Sequence, residues 1–365
     1  MNNVGEKKSV LFVDNERHWG GGQIICLNLI DSFRKNNFQI GLLLPSDSNL
    51  EVKVKDFDLV ERIYNLERLD LTPGKNFFIN LFRLFKHGVY NSLKMARAFL
   101  KYDLVYINSI RLLPISLLLL FFIRKDFVIH LHLLHKNSIF RFVALASSSS
   151  KCKAIVCCSE LVRSAAKKYI FDDRLITVRN SLKSQFSGMK FENRFDRPLK
   201  VGFIGDISLL KGADIILKLA VKFTQLEFCL IGRNNLNIDI TTANVHLESN
   251  SLDIKSLVDL NEINIVIVPS RVPESFGLVA IEACAMSCIT VVSSAGYLKQ
   301  IGNQCELSVC EDEDMYHKVL VDLCRLNSGE LENIAKNSWM RVQEYYPITT
   351  FESEIHDLLL PLIST

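Results

Sequence analysis

Two carboxylates, Glu274 and Glu282, stand eight positions apart around the turn-like Ser275-Phe276-Gly277. The run Ile263-Asn264-Ile265-Val266-Ile267-Val268 precedes them, β-branched in the manner of a strand buried on both faces. Glu274 therefore falls just past a strand's carboxyl end, and Glu282 lies about two turns into the following helix. Open α/β sheets bind ligands at that edge. A carboxylate there accepts hydrogen bonds from sugar or ribose hydroxyls, and a helix start at Leu278 offers unpaired N–H groups to an anion. The plainer alternative is an ordinary strand–loop–helix unit with two solvated carboxylates.

Other residues of the same kind sit at other strand ends. Gly205 closes the apolar run 200–205, and Lys211-Gly212 opens the next helix; Arg233 follows Leu230-Ile231-Gly232 at the end of a further strand. Gly20-Gly21-Gly22 precedes a helix, where glycine permits close backbone approach and N–H groups face outward. The segment FVIHLHLLH, residues 127–135, puts His130 and His132 on one strand face with His135 beyond. Three histidines could ligate a metal, but the segment itself holds no acidic partner. Asp56-Phe57-Asp58 has metal-binding spacing without supporting context, and Asp312-Glu313-Asp314 reads as a solvated acidic turn. No pair of CxxC units marks structural zinc. No metal site and no resident cofactor are therefore expected.

The arrangement P-S-x(3)-E-x-F-G-x(4)-E-A over residues 269–283 resembles the E-x7-E signature of retaining glycosyltransferases with the two-domain GT-B fold, family 4 in particular. The resemblance covers nearly the whole chain and is strongest from 199 to 302. It implies that Glu274 contacts donor-sugar hydroxyls, with Ser275 and the backbone of Phe276, Gly277 and Leu278 beside the phosphates. Glu282 would contact ribose, and Lys211, after the Gly205 turn, would grip the diphosphate. Gly21 and Gly22 match the N-terminal glycine-rich loop, and His132 the histidine that reaches the donor sugar. Glu274, His132 and Lys211 are thus the candidate catalytic residues. Asp206 stands where an Arg is usual, and a carboxylate there repels a diphosphate unless it points away; Arg233 could compensate. Asn180-Ser181 replaces an Asn-Gly, Ser287-Cys288-Ile289-Thr290 replaces a Gly-x-Pro pattern, and Gln300 replaces a Glu.

Elements that position these residues recur along the chain. Strand-like runs at 9–13, 39–44, 104–107, 127–131 and 154–157 alternate with helical patterns, including one from Gln23 to Lys35. Such alternation implies βαβ crossovers and a parallel sheet. The polar, aperiodic stretch 184–198 reads as a linker. The alternation then restarts at 200–205, with a helix over 213–223 and strands at 228–231, 245–247 and 291–293. The expected architecture is α/β, with two doubly wound Rossmann-like domains facing across a cleft. The first would span 1–190 and bind acceptor, and the second 199–345 and bind nucleotide sugar. A terminal helix, 346–365, would return to the first by resemblance.

The 365 residues suit two cores of ordinary size. A net charge of +3 hides an asymmetry: residues 1–190 carry net +13 and residues 191–365 net −10. Residues 75–101 hold six Lys/Arg and no acid, with apolar residues at helical spacing. Such a segment either lies on anionic lipid or packs as a core helix with a solvated basic face. The longest apolar run, 112–123, is too short for a bilayer, which needs about 20 residues, and reads as a buried helix. The ten cysteines fall largely in apolar runs, as small buried thiols do, and the polar start lacks a signal peptide; a reducing, cytoplasmic setting is expected.

The resemblance implies a metal-independent, retaining glycosyltransferase using a nucleoside-diphosphate donor, a UDP- or GDP-sugar. Its acceptor would be a glycan or lipid-linked glycan of a cell-surface polysaccharide or lipopolysaccharide, at the inner face of the membrane. No nucleic-acid partner is implied. A non-catalytic subunit of an active transferase, and a nucleotide-sugar epimerase on the same fold, are the alternatives.

Overall fold

The computed structural model describes residues 8–16, 20–56, 58–66, 90–110, 119–120, 122–236, 242–248 and 254–363. The chain divides into two compact units, one of residues 1–179 with 352–365, the other of residues 180–351.

The first unit is built on a seven-stranded sheet ordered β3-β2-β1-β4-β5-β6-β7, every neighbouring pair parallel. Its strands are β1 (Ser9–Val13), β2 (Gln39–Pro45), β3 (Arg62–Leu66), β4 (Leu104–Ile107), β5 (Asp126–Leu131), β6 (Cys152–Cys157) and β7 (Leu175–Thr177). Parallel pairing needs a crossover for each strand, and covering both faces leaves the central strands apolar throughout. β1 and β4 are accordingly buried from end to end. Phe12 packs on Phe33 of the helix Gly21–Lys35 and on Tyr106 of β4.

The second unit carries six parallel strands ordered β10-β9-β8-β11-β12-β13. They are β8 (Lys200–Ile204), β9 (Glu227–Ile231), β10 (Val245–Glu248), β11 (Ile265–Val268), β12 (Ile289–Ser293) and β13 (Ser308–Cys310). Val201, Phe203, Phe228, Leu230, Ile265 and Ile267 form the heart of its core. Both sheets reverse direction of winding beside their first strand, between β1 and β4 and between β8 and β11. In this doubly wound order the loops leaving those strand ends diverge and open a ligand crevice.

The polar stretch 184–198 is not a free linker. Arg194 is buried, donating to the Met286 carbonyl at 2.7 Å and pairing with Asp259. Phe195 lies in the second core, and buried Asn264 ties Arg194 and Pro198 to the start of β8 through three hydrogen bonds. Polar residues here satisfy one another and the backbone, which a reading of hydropathy alone cannot detect. The second unit thus starts at Asn180.

Residues 75–89 of the basic stretch lie outside the described residues. From 90 to 101 the chain is helical, burying Met95, Ala98 and Phe99 while Leu93 and Leu100 are exposed. Most of the apolar run 112–123 also lies outside the described residues. Among those described, no helix is long and apolar enough to cross a membrane. All ten cysteines are free thiols, nine buried and Cys324 exposed.

Candidate functional site

In the second unit the candidate residues gather at the carboxyl ends of β8, β9, β11 and β12. Gly205 follows β8 and donates its N–H to Ile231 O at 2.9 Å. Gly232, at the end of β9, approaches so closely that a Cβ there would sit 1.8 Å from the Gly205 carbonyl. The two loops then run side by side, joined by Ile207 N–H to Arg233 O at 2.9 Å and an Ile207–Asn234 bridge. This brings Arg233 against Asp206, with a guanidinium–carboxylate contact of 3.2 Å between two half-exposed side chains. Asp206 therefore faces a cation. Its charge is compensated by the Arg233 that sequence reading offered as a substitute grip.

The β11 loop is pinned at both ends. Arg271 N–H donates to Leu210 O at 2.9 Å, and its guanidinium reaches Leu209 O, Asp214 and Glu313. The Arg271 hydrogen bonds hold the Asp214 carboxyl below its ordinary range. Further on, Glu274 forms a bridge with Gly296, and Tyr297 N–H donates to Glu274 O at 2.9 Å. Gly296 has φ +66°, and a Cβ there would lie 2.4 Å from Glu274 O; only glycine suits both the conformation and the close approach. These ties place the Glu274 carboxylate 2.5 Å from Lys211 Nζ, the lysine about one-third exposed and the glutamate one-fifth.

Beyond Glu274 the loop turns inward. Ser275 and Phe276 are buried, Phe276 stacking on Tyr297 with centroids 5.1 Å apart. Gly277 caps the helix Leu278–Ala285 without a side-chain hydrogen bond, as Gly212 caps the helix Ala213–Lys222. Two helix starts thus present N–H groups at this edge, where partial positive charge favours anions. Glu282 is 2 % exposed and its carboxylate lies 2.9 Å from Lys183 Nζ, itself 10 % exposed. Burial pushes the Glu282 carboxyl up, and Lys183 opposes the shift without cancelling it. Sequence reading missed Lys183, which stands in the Asn180-Ser181 turn region and carries no motif. Ser287, where glycine is usual, adopts φ +63° and accepts a hydrogen bond from Glu192 N–H at 3.0 Å. That bond offsets the cost of about 1 kcal/mol for a left-handed non-glycine residue.

In the first unit, Gly20 is the N-cap, and Gly21 and Gly22 form the first turn of the helix Gly21–Lys35, not a loop before it. That first turn holds no acidic residue. His132 follows β5, and its Nε2 lies 2.7 Å from Asn108 Oδ1, just past β4. Asn108 Nδ2 donates to Asp14, just past β1, and to Gly22 O at 3.3 Å. Gln23 Nε2 donates to the other Asp14 oxygen at 3.3 Å. Burial, then His135, pushes His132 down to about 3. His130 lies beside it, the rings tilted by 36° with centroids 3.8 Å apart; it is 2.8 Å from Tyr106 Oη through Nδ1 and is held well below its ordinary range by burial. Asp14 and Asn108 escaped the sequence reading; each is a single polar residue directly after an apolar strand, and that position was the available signal.

Among the described residues, no group of three or more His, Cys, Asp or Glu side chains is arranged to hold a metal. Asp312 instead caps the helix Glu313–Leu323, accepting from Met315 N–H at 2.9 Å.

The two parallel sheets, each with crevice-forming loops at one edge, define a pair of Rossmann-like domains: the GT-B fold of glycosyltransferases. Family comparison agrees over both units. Residues 19–182 match the model for Glycosyltransferase Family 4, and residues 186–314 the model for Glycosyl transferases group 1. The chain belongs to this family of glycosyltransferases. Among solved structures it is similar to Alr3699/HepE of Anabaena in complex with UDP-glucose, at 16 % identity and TM-score 0.77, over 97 % of this chain and 99 % of that one. A glycosyltransferase from Rickettsia africae matches at 14 % identity and TM-score 0.77, over 99 % and 100 % of the respective chains. The lipopolysaccharide outer core galactosyltransferase WaaB matches at 13 % identity and TM-score 0.63, over 97 % and 99 %. A comparison with curated proteins finds no match.

Proposed function

We propose that this chain transfers a sugar from a nucleoside-diphosphate donor, a UDP- or GDP-sugar, to a glycan or lipid-linked glycan acceptor, with retention at the anomeric carbon. The observation that carries the reading is the Lys211–Glu274 pair at the carboxyl ends of β8 and β11. It sets a cation for a diphosphate and an acceptor for sugar hydroxyls side by side at the switch point of a doubly wound sheet. Lys211, Arg233 and the helix starts at Gly212 and Gly277 supply the positive charge that a departing diphosphate needs, without calling on a metal ion. Ser275 and the N–H groups of Gly277 and Leu278 then face phosphate, and Glu282 takes ribose while Lys183 balances its charge. In the first unit, the helix start at Gly21 and Gly22 and the His132 ring provide an anion- and hydroxyl-binding edge. The similarity to a UDP-glucose complex supports the donor class, and that to a lipopolysaccharide galactosyltransferase supports a cell-surface glycan acceptor. The excess positive charge of residues 1–190 suits work on an anionic membrane surface from the cytoplasmic side.

The test is calorimetric titration with UDP-, GDP-, ADP- and CMP-sugars in EDTA, on wild type and Glu274→Ala. One nucleotide class should bind, and Glu274→Ala should abolish transfer while keeping most nucleotide affinity. Binding of none of them would favour a non-catalytic subunit, the reading that Asp206 at a phosphate-holding position otherwise supports.

A further inference from the structure

At the carboxyl edge of the first sheet, Asp14, Asn108 and His132 follow the adjacent strands β1, β4 and β5 and form one hydrogen-bonded row. The Asn108 amide nitrogen faces two acceptors, the Asp14 carboxylate and the Gly22 carbonyl. Turning the amide around would set oxygen against both, so its oxygen must face His132. A carboxamide oxygen only accepts hydrogen bonds, so His132 Nε2, 2.7 Å away, must carry the ring's proton. Burial keeps the ring neutral and leaves it a single proton. Its Nδ1 is therefore a bare lone pair, buried and without a partner among the described residues.

The row is braced from behind. Gln23 Nε2 and Glu16 N–H donate to the second Asp14 oxygen, at 3.3 Å and 2.6 Å, which fixes the carboxylate's own orientation. Gly22 lies against the ring, where a Cβ would meet His132 Cδ2 at 3.5 Å, and Cys158 Sγ donates to the His132 carbonyl at 3.4 Å.

We propose that Asp14 and Asn108 are positioning residues that hold His132 as the Nε2–H tautomer, so that this point of the first unit accepts a hydrogen bond from a sugar hydroxyl and rejects a group that can only accept, such as a fluorine or a carboxylate. The proposal rests on the reading of His132 as sugar-facing and gives that reading a polarity. A neutral imidazole with a protonated Nδ1 would have the opposite preference.

The experiment is NMR of the full chain labelled with 15N-histidine, in which two-bond proton–nitrogen couplings distinguish the tautomers and His132→Gln identifies the resonances. Wild type should show the Nε2–H form. Asp14→Asn, which lets the Asn108 amide turn, should populate the Nδ1–H form and lower the sugar-dependent part of donor affinity about tenfold, the worth of one hydrogen bond. Asn108→Asp keeps an oxygen facing the ring and, with one proton held between its other oxygen and the Asp14 carboxylate, should keep the wild-type tautomer. An Nδ1–H form in wild type would overturn the proposal even if neither variant folds, as would a folded Asp14→Asn with an unchanged tautomer. Adding UDP-, GDP-, ADP- and CMP-sugars completes the test. A donor that binds and moves the Nδ1 resonance toward that of a hydrogen-bonded acceptor supports the hydroxyl contact, and one that binds without moving it overturns that part. If none binds, the functional reading fails while the tautomer result stands by itself.

Discussion

Replacing Lys183 by methionine isolates the charge buried in the second unit. Lys183 and Glu282 are 2.9 Å apart with side chains only 10 % and 2 % exposed. Removing one partner of such a pair leaves the other charge uncompensated and costs about 3–5 kcal/mol. The carboxyl can escape that cost by taking a proton. Its folded-state pKa is already raised by burial, and Lys183 supplies both influences that oppose the rise; in Lys183→Met it climbs further. Between the unfolded value, about 4.3, and the raised folded value, the folded chain binds more protons than the unfolded one. Stability in that window falls as pH rises, by up to about 1.4 kcal/mol per pH unit. Lys183→Met should therefore be most destabilised at pH 8 and approach wild type near pH 4.5. Adding Glu282→Gln, which abolishes the charge, should recover most of the loss at pH 8. The assay is urea denaturation followed by Trp339 fluorescence in a Trp19→Phe background, so that only the second unit reports. A loss equal at pH 5 and pH 8, or a double variant no more stable than Lys183→Met at pH 8, would refute the reasoning.

Two further outcomes follow from the geometry. Gly296→Ala forces a Cβ against the Glu274 backbone from a left-handed position, so the loop carrying Glu274 must shift; melting of the second unit should drop by a few degrees, about 2–4 °C per kcal/mol, with a matching loss of donor affinity. Unchanged melting and affinity would mean that the loop is not held there. His132, lowered to about 3 in the folded chain against about 6.5 unfolded, makes the unfolded state the better proton binder between those values. Stability of the first unit should therefore fall as pH drops from about 6.5 toward 3, and His132→Gln should flatten that slope in acid titrations followed by circular dichroism. An unaltered slope would assign it to other groups.

The central strands were legible because burial on both faces writes them as unbroken apolar runs, as in Val10–Val13 and Ile265–Val268. The edge strands β3 and β7 and the three-residue β13 were not, since each is short or interrupted by polar residues. Glu274 and Lys211 could be picked from their motifs. Their contact could not, because it depends on Arg271 and Gly296 pinning loops from distant parts of the chain. The same holds for Asp206, whose sign alone implies repulsion, whereas the β8 and β9 loops bring Arg233 beside it. The glycine triplet reads as a loop although two of its members start the helix, because glycine's low helix propensity points away from a helix that packing nevertheless extends to Gly21. Lys183 and Arg194 were hidden in stretches whose polarity mimics solvent exposure.

The distribution of sulfur gives the molecule a built-in set of clocks. Cys26, Cys152, Cys157 and Cys158 are sealed in the first unit, and Cys229, Cys284, Cys288, Cys305 and Cys310 in the second. Burial raises their thiol pKa values and so withholds the thiolate that alkylating reagents require. Cys324 on the surface is reached without any opening, and partial burial alone raises its thiol pKa, so its modification marks time zero. Each later modification then records how often its own layer of the fold breathes open. Mass spectrometry of a single native chain can thus rank the transient openings of the two halves, with no engineered label and no denaturant.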